Sequence, residues 1–150
     1  MGYLINAIIS LVIAIISNSI FVNKKLERYK YQLTLLENNY PSINDLYILI
    51  DMTTTEYISF KVHNYSAIYH NYVLIKDDFY KLRILLSKRI ERNILMYLKL
   101  IDSYLGCIEK YNTIARKGDI NKEDQIIKDL DKLAYQIEKT AGKVRNGLRI

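Results

Sequence analysis

The sequence predicts an all-α protein: an N-terminal single transmembrane helix extended into an antiparallel helical bundle or coiled coil of about three long helices. Three observations predict it. Tyr3 to Val22 carries no charged side chain. Behind it, apolar residues recur at steps of three and four, the period of an α-helical face. Five Gly and one Pro are the only strong breakers in 150 residues, so long helices are expected. The organisation that follows is a transmembrane anchor over 1–23, a juxtamembrane basic helix over 24–41, and a helical cytoplasmic domain over 42–150.

The first element reads YLINAIISLVIAIISNSIFV. About 20 residues at ~1.5 Å rise match a hydrocarbon core ~30 Å thick. Tyr3, Leu4, Ile8, Ile9, Leu11, Val12, Ile13, Ile15, Ile16, Ile20, Phe21 and Val22 are the residues expected to meet lipid. A cleaved signal peptide is the rival reading, with Ser17 and Ser19 small enough for a cleavage site. The absence of Lys and Arg ahead of the stretch, and its length, favour the anchor. Asn6 stands where a myristoylation motif wants Ser or Thr. Lys24, Lys25, Arg28 and Lys30 follow the stretch and hold what comes after it on the cytoplasmic side, within reach of anionic headgroups. Asn6, Ser10, Ala14 and Ser17 share one face, a possible seam for association of spans.

The next helix carries Leu26, Tyr29, Leu33, Leu36 and Tyr40 along one side and is expected to stop at Pro41. Ser42 then reads as an N-cap with Asp45 three residues on. From Ile43 the apolar stripe runs through Tyr47, Ile50, Thr54, Tyr57, Ile58, Val62, Tyr65, Tyr69 and Tyr72. Residues 53–75 are rich in Tyr, Thr, Ile and Val, which leaves a β-hairpin about Asn64–Ser66 open. A helix is preferred, because Glu56, Ser59, His63, Ser66, His70 and Asp77 keep their own face.

Lys76-Asp77-Asp78 reads as a helix start, with two acids suited to the dipole. One helix is expected from there to about Arg116, ending at Gly118. It would bury Phe79, Leu82, Leu86, Ile90, Ile94, Tyr97, Ile101, Tyr104, Ile108, Tyr111 and Ala115. Such a rod would be ~58 Å long at ~1.5 Å per residue. Arg83 falls on its apolar side without an evident reason. The last helix opens at Asn121 as N-cap and buries Ile126, Leu130, Leu133, Ile137, Ala141 and Val144. Gly147 is the expected stop.

No arrangement of residues amounts to a reaction. His63 and His70 are seven apart, ~10 Å along a helix, too far for one metal at ~2 Å from each donor. No HExxH, CxxC, P-loop, GxGxxG or GxSxG occurs. Cys107 reads as a buried, inert thiol. No catalytic residue, cofactor, metal or small-molecule substrate is therefore expected. Lys81, Lys88, Arg92, Lys99, Lys110 and Lys117 return to nearly the same angle and form a basic face. Such a face suits phosphate, anionic lipid or an acidic protein, or simply keeps the chain solvated.

The partners expected are membrane lipid and a protein partner or second copy, with nucleic acid possible but not favoured. The function expected is that of a single-pass membrane-anchored interaction or scaffold protein. The alternatives are a membrane-acting effector of the phage lysis, toxin or defence kind, and a membrane tether for nucleic acid.

Overall fold

The structure, a computed structural model, describes residues 2–61, 63–116 and 120–148. Within the first helix it describes side chains from Asn18 onward, except those of Gln32 and Leu36. Four α-helices follow one another: α1 (Gly2–Met52), α2 (Tyr65–Leu82), α3 (Lys88–Ala115) and α4 (Ile120–Leu148). A π-helical segment, Thr53–Ser59, continues α1. No strand occurs among the described residues, so residues 53–75 are helical apart from a short break and the hairpin is excluded. The chain divides into two compact units, Met1–Asn39 and Tyr40–Ile150.

The second unit is a helical bundle. Its first helix is the end of α1 with the π-helical segment. Ile50 and Asp51 meet Tyr97 and Arg145, near the start of α3 and the end of α4. Further along, Lys61 pairs with Asp131 at 2.8 Å and His63 meets Tyr104. The chain here therefore runs with α3 and against α4. α2 runs back, from Tyr65 beside Glu109 to Arg83 beside Glu91. The order is up, down, up, down.

Each helix gives its three-and-four stripe to the interior. Ile43, Leu46, Ile50 and Ile58 come from the first helix, and Ile68, Ile75, Phe79 and Leu82 from α2. Ile94, Tyr97, Ile101, Tyr104 and Ile108 come from α3. α4 adds Leu130, Ala134, Ile137, Ala141, Val144 and Leu148.

The π-helical segment follows from that stripe. Ile50, Thr54 and Ile58 are all buried and lie four residues apart. Steps of four overshoot an α-turn of 3.6, and a winding that closes over one more residue keeps them aligned. Thr53, Thr54 and Thr55 each donate a hydroxyl to the carbonyl four residues back, at 2.7 Å. Such back-bonding loosens the regular ladder. Ser59 reaches the carbonyl five back, on Thr54, at 2.9 Å. The segment ends where Lys61 takes φ 54°, a left-handed turn. Asn64 then caps α2 by accepting from the Ala67 N–H at 3.1 Å.

Several expected boundaries are corrected. α1 does not stop at Pro41, which lies inside it, so Ser42 is no N-cap. Proline removes one ladder bond there, and the apolar face resumes at Ile43, buried in the bundle. Lys76-Asp77-Asp78 lies within α2 and starts nothing. The expected helix from 78 to 116 is two helices, divided over Arg83–Ser87. Folding back there buries α2 against α3, which an unbroken rod cannot do. The turn uses neither Gly nor Pro. Leu85 N–H bonds the Leu82 carbonyl at 2.9 Å, and Ser87 caps α3 through Ile90 N–H at 3.4 Å.

α4 already includes Asn121 and passes through Gly147. Gly147 serves close packing instead, since a Cβ on it would stand 2.9 Å from Ile90 Cγ1. Of the expected stripe, Ala115 is exposed, while Leu86, Ile90, Tyr111, Ile126 and Leu133 are half-buried.

Ser87→Ala should lower the unfolding free energy by about 1 kcal/mol, and Ser87→Asp should keep it near the starting value. Urea unfolding followed by circular dichroism checks both.

Candidate functional site

Two surfaces and one cluster hold the residues singled out in the sequence. The first surface is the stretch of α1 in the first unit. Val22, Leu26, Tyr29 and Leu33 are 48–58% exposed there. Tyr40, the first residue of the second unit, is 52% exposed. Ile20, Phe21 and Tyr31 are exposed as well, Tyr31 standing off the seam. Lys24, Lys25, Arg28 and Lys30 are all exposed; Lys25 and Lys30 flank the seam, whereas Lys24 and Arg28 lie towards the far side of the helix. Large apolar side chains are thus left open over several turns of the helix.

The expected anchor lies, through Ser17, outside the described side chains, as do Asn6, Ser10, Ala14 and Ser17 of the expected span seam. Among the described residues no helix is long and apolar enough to cross a membrane.

The second surface is the basic face, and the structure divides it. Lys81 lies on α2 and pairs with Asp78 at 3.2 Å. Lys88 bonds Glu91 at 3.1 Å, and the Arg92 Nε donates to the Lys88 carbonyl at 3.2 Å. Lys99 and Lys110 are exposed on α3, and Lys117 lies outside the described residues. Among the described residues Lys81 is therefore separated from Lys88, Arg92, Lys99 and Lys110 by the turn at Arg83–Ser87, and Lys88 and Arg92 are engaged by neighbours. Arg83 now has its reason. Its guanidinium reaches back 2.5 Å to Glu91, a carboxylate only 7% exposed. Hydrogen bonds from Arg83 and then Lys88 hold that carboxyl below its usual range.

The cluster lies around His63. The His63 residue is exposed, as expected of a polar face, and its ring also has partners. Its Nδ1 sits 3.2 Å from the Tyr104 hydroxyl, and its centroid is 6.2 Å from the rings of Tyr104 and Tyr111. Partial burial against them lowers its pKa, opposed by Asp131 and aided by Lys61. Burial raises the Tyr104 phenol to about 12. His70 is exposed, so the two histidines do not converge. No group of three or more His, Cys, Asp or Glu able to hold a metal occurs among the described residues. Cys107 is free and half-buried rather than buried.

A polar lock went unrecognised in the sequence. The fully buried Tyr97 hydroxyl lies 3.1 Å from Thr54 Oγ1 and 3.4 Å from the Ile50 carbonyl. Beside it the Arg145 guanidinium bonds the Asp51 carboxylate. A signal existed, since Thr54 is the one non-aromatic polar residue on its apolar stripe. Arg145 and Asp51 gave none, being 94 residues apart.

No protein family, curated protein or solved structure matches this chain.

Folding stability should depend on pH at both ends. The neutral His63 is favoured when folded, so its contribution is present above its ordinary 6.5 and is lost as pH falls from there through its lowered folded-state value. The neutral Tyr104 is favoured too, so its contribution is present below 10 and is lost as pH rises towards about 12. Thermal melts across pH should show both limbs. His63→Gln should flatten the first between about pH 6.5 and 5, before the carboxylates protonate.

Proposed function

We propose that the chain is a single-pass membrane-anchored helical interaction protein, recruiting a partner at the membrane surface. The observation that carries this reading is the open apolar seam of α1 at Val22, Leu26, Tyr29 and Leu33, directly behind an uncharged stretch of span length. The stretch from Tyr3 satisfies its own backbone hydrogen bonds as a helix, which lipid demands. The basic cluster at Lys24–Lys30 sets the inner side, so the bundle faces the cytoplasm. The bundle supplies the folded body, and α1 supplies the contact.

Long single helices in water draw most of their stability from packing of an apolar face. Among the described residues the first unit is a single helix. Its exposed seam is the face this reading assigns to the partner. The basic face on α3 plays no part in this reading, since Lys88 and Arg92 already have bonds within the chain.

Two measurements check the proposal. The full-length chain should stay with membranes through a carbonate wash, and release into the supernatant refutes the anchor. A photo-crosslinker at Leu33 should give a discrete adduct in cells, whereas one at Asn38, on the opposite side of the helix, should give little. Equal labelling from both positions refutes the seam. Leu26→Asp with Leu33→Asp should abolish the Leu33-side adduct when it is read from a crosslinker at Tyr29. The melting temperature of the bundle should change by no more than a few degrees, because these side chains are exposed.

A further inference from the structure

We infer that the occupant of the α1 seam is an acid-flanked helix of a different chain, not a second copy of this one. The inference rests on the proposed reading of α1 as a docking helix, and it names the partner's chemistry.

The seam repeats every seven residues. Leu26, Leu33 and Tyr40 fall at one core position, and Val22, Tyr29 and Leu36 at the other. This is the spacing of a left-handed coiled coil, in which the positions beside the core choose the partner. Those beside this core are Asn23, Lys30 and Glu37 on one flank, and Lys25, Gln32 and Asn39 on the other.

In a parallel pair each residue of the second flank faces the residue five further along on the partner. Two copies anchored through the same end of α1 lie parallel. Lys25 of each copy then meets Lys30 of the other, on both sides of the pair. It is the one such pairing over 22–40 in which both members are charged, and the charges are alike. Gln32 opposite Glu37 offers no compensation. Like charges across a coiled coil oppose pairing, whereas a carboxylate at the same place favours it. Lys24 and Arg28, both exposed on the same turns, outweigh the one exposed carboxylate there, Glu27, and keep the local field positive. A helix with apolar core positions and Glu or Asp beside them matches both features. The anionic bilayer surface is the competing occupant.

The test uses the full chain in zwitterionic liposomes. Self-pairing is read by energy transfer between two labelled populations. Binding is read with two synthetic four-heptad peptides, Leu at both core positions, with either Glu or Lys on the flanks. Expected are background energy transfer and binding of the Glu peptide that weakens with salt. The Glu peptide should bind on the order of tenfold tighter than the Lys peptide.

Lys25→Glu should raise self-pairing on the order of tenfold, because both facing pairs become opposite in sign. Lys25→Glu with Lys30→Glu should return it to background and reverse the peptide preference. Strong self-pairing of the unaltered chain, unaffected by Lys25→Glu, overturns the inference and leaves the docking reading standing. Equal binding of the two peptides does the same. Burial of Tyr29 in liposomes containing phosphatidylserine, with neither peptide bound, overturns both.

Discussion

The bundle is fastened where three helices meet at one level. The Tyr97 hydroxyl is fully buried and reaches both Thr54 and the Ile50 carbonyl. An unpaired phenol at that depth would carry a desolvation penalty of about 1–3 kcal/mol. The arrangement therefore tolerates only one register between α3 and the end of α1. The Arg145–Asp51 pair adds α4 at the same level. Apolar burial supplies most of the drive to collapse, but it is indifferent to slippage by a turn. The polar lock is not. Once it is set, Lys61 comes beside Asp131 and His63 beside Tyr104 further along the bundle.

Much of the fold was legible because the apolar period survives every turn. The stripes of α3 and α4 were read nearly residue by residue, as Ile94, Tyr97, Ile101, Tyr104 and Ile108 and as Leu130, Ile137, Ala141 and Val144 show. The boundaries were harder for a physical reason. The α2–α3 turn keeps the stripe in step through Leu82, Leu86 and Ile90 and uses no breaker, so periodicity runs across it unbroken. Pro41 misled in the opposite direction, since packing at Ile43 and Leu46 outweighs one lost backbone bond.

The same limit governs the surfaces. A face computed from angle alone assumes one continuous helix, and the turn at Arg83–Ser87 removes that assumption for Lys81. The seam of α1 was legible at Leu26, Tyr29 and Leu33. Its exposure was not, because period says that a face will be covered and not by what. Charge is better at telling partners apart than at finding the site. Glu91 illustrates this within the chain, where one carboxylate collects two cations from different sides of a turn.

The widened winding at Thr53–Ser59 has its own consequence. A turn that closes over one extra residue holds spare length. Loss of a single residue from this segment is absorbed on the spot, by rewinding to ordinary α-geometry, while Leu46 before it and Ile58 at its end keep their places. The same loss anywhere else in the buried part of α1 swings everything on one side of it by about 100°. Natural length variants of this protein should therefore gather at the three threonines and almost nowhere else along that helix.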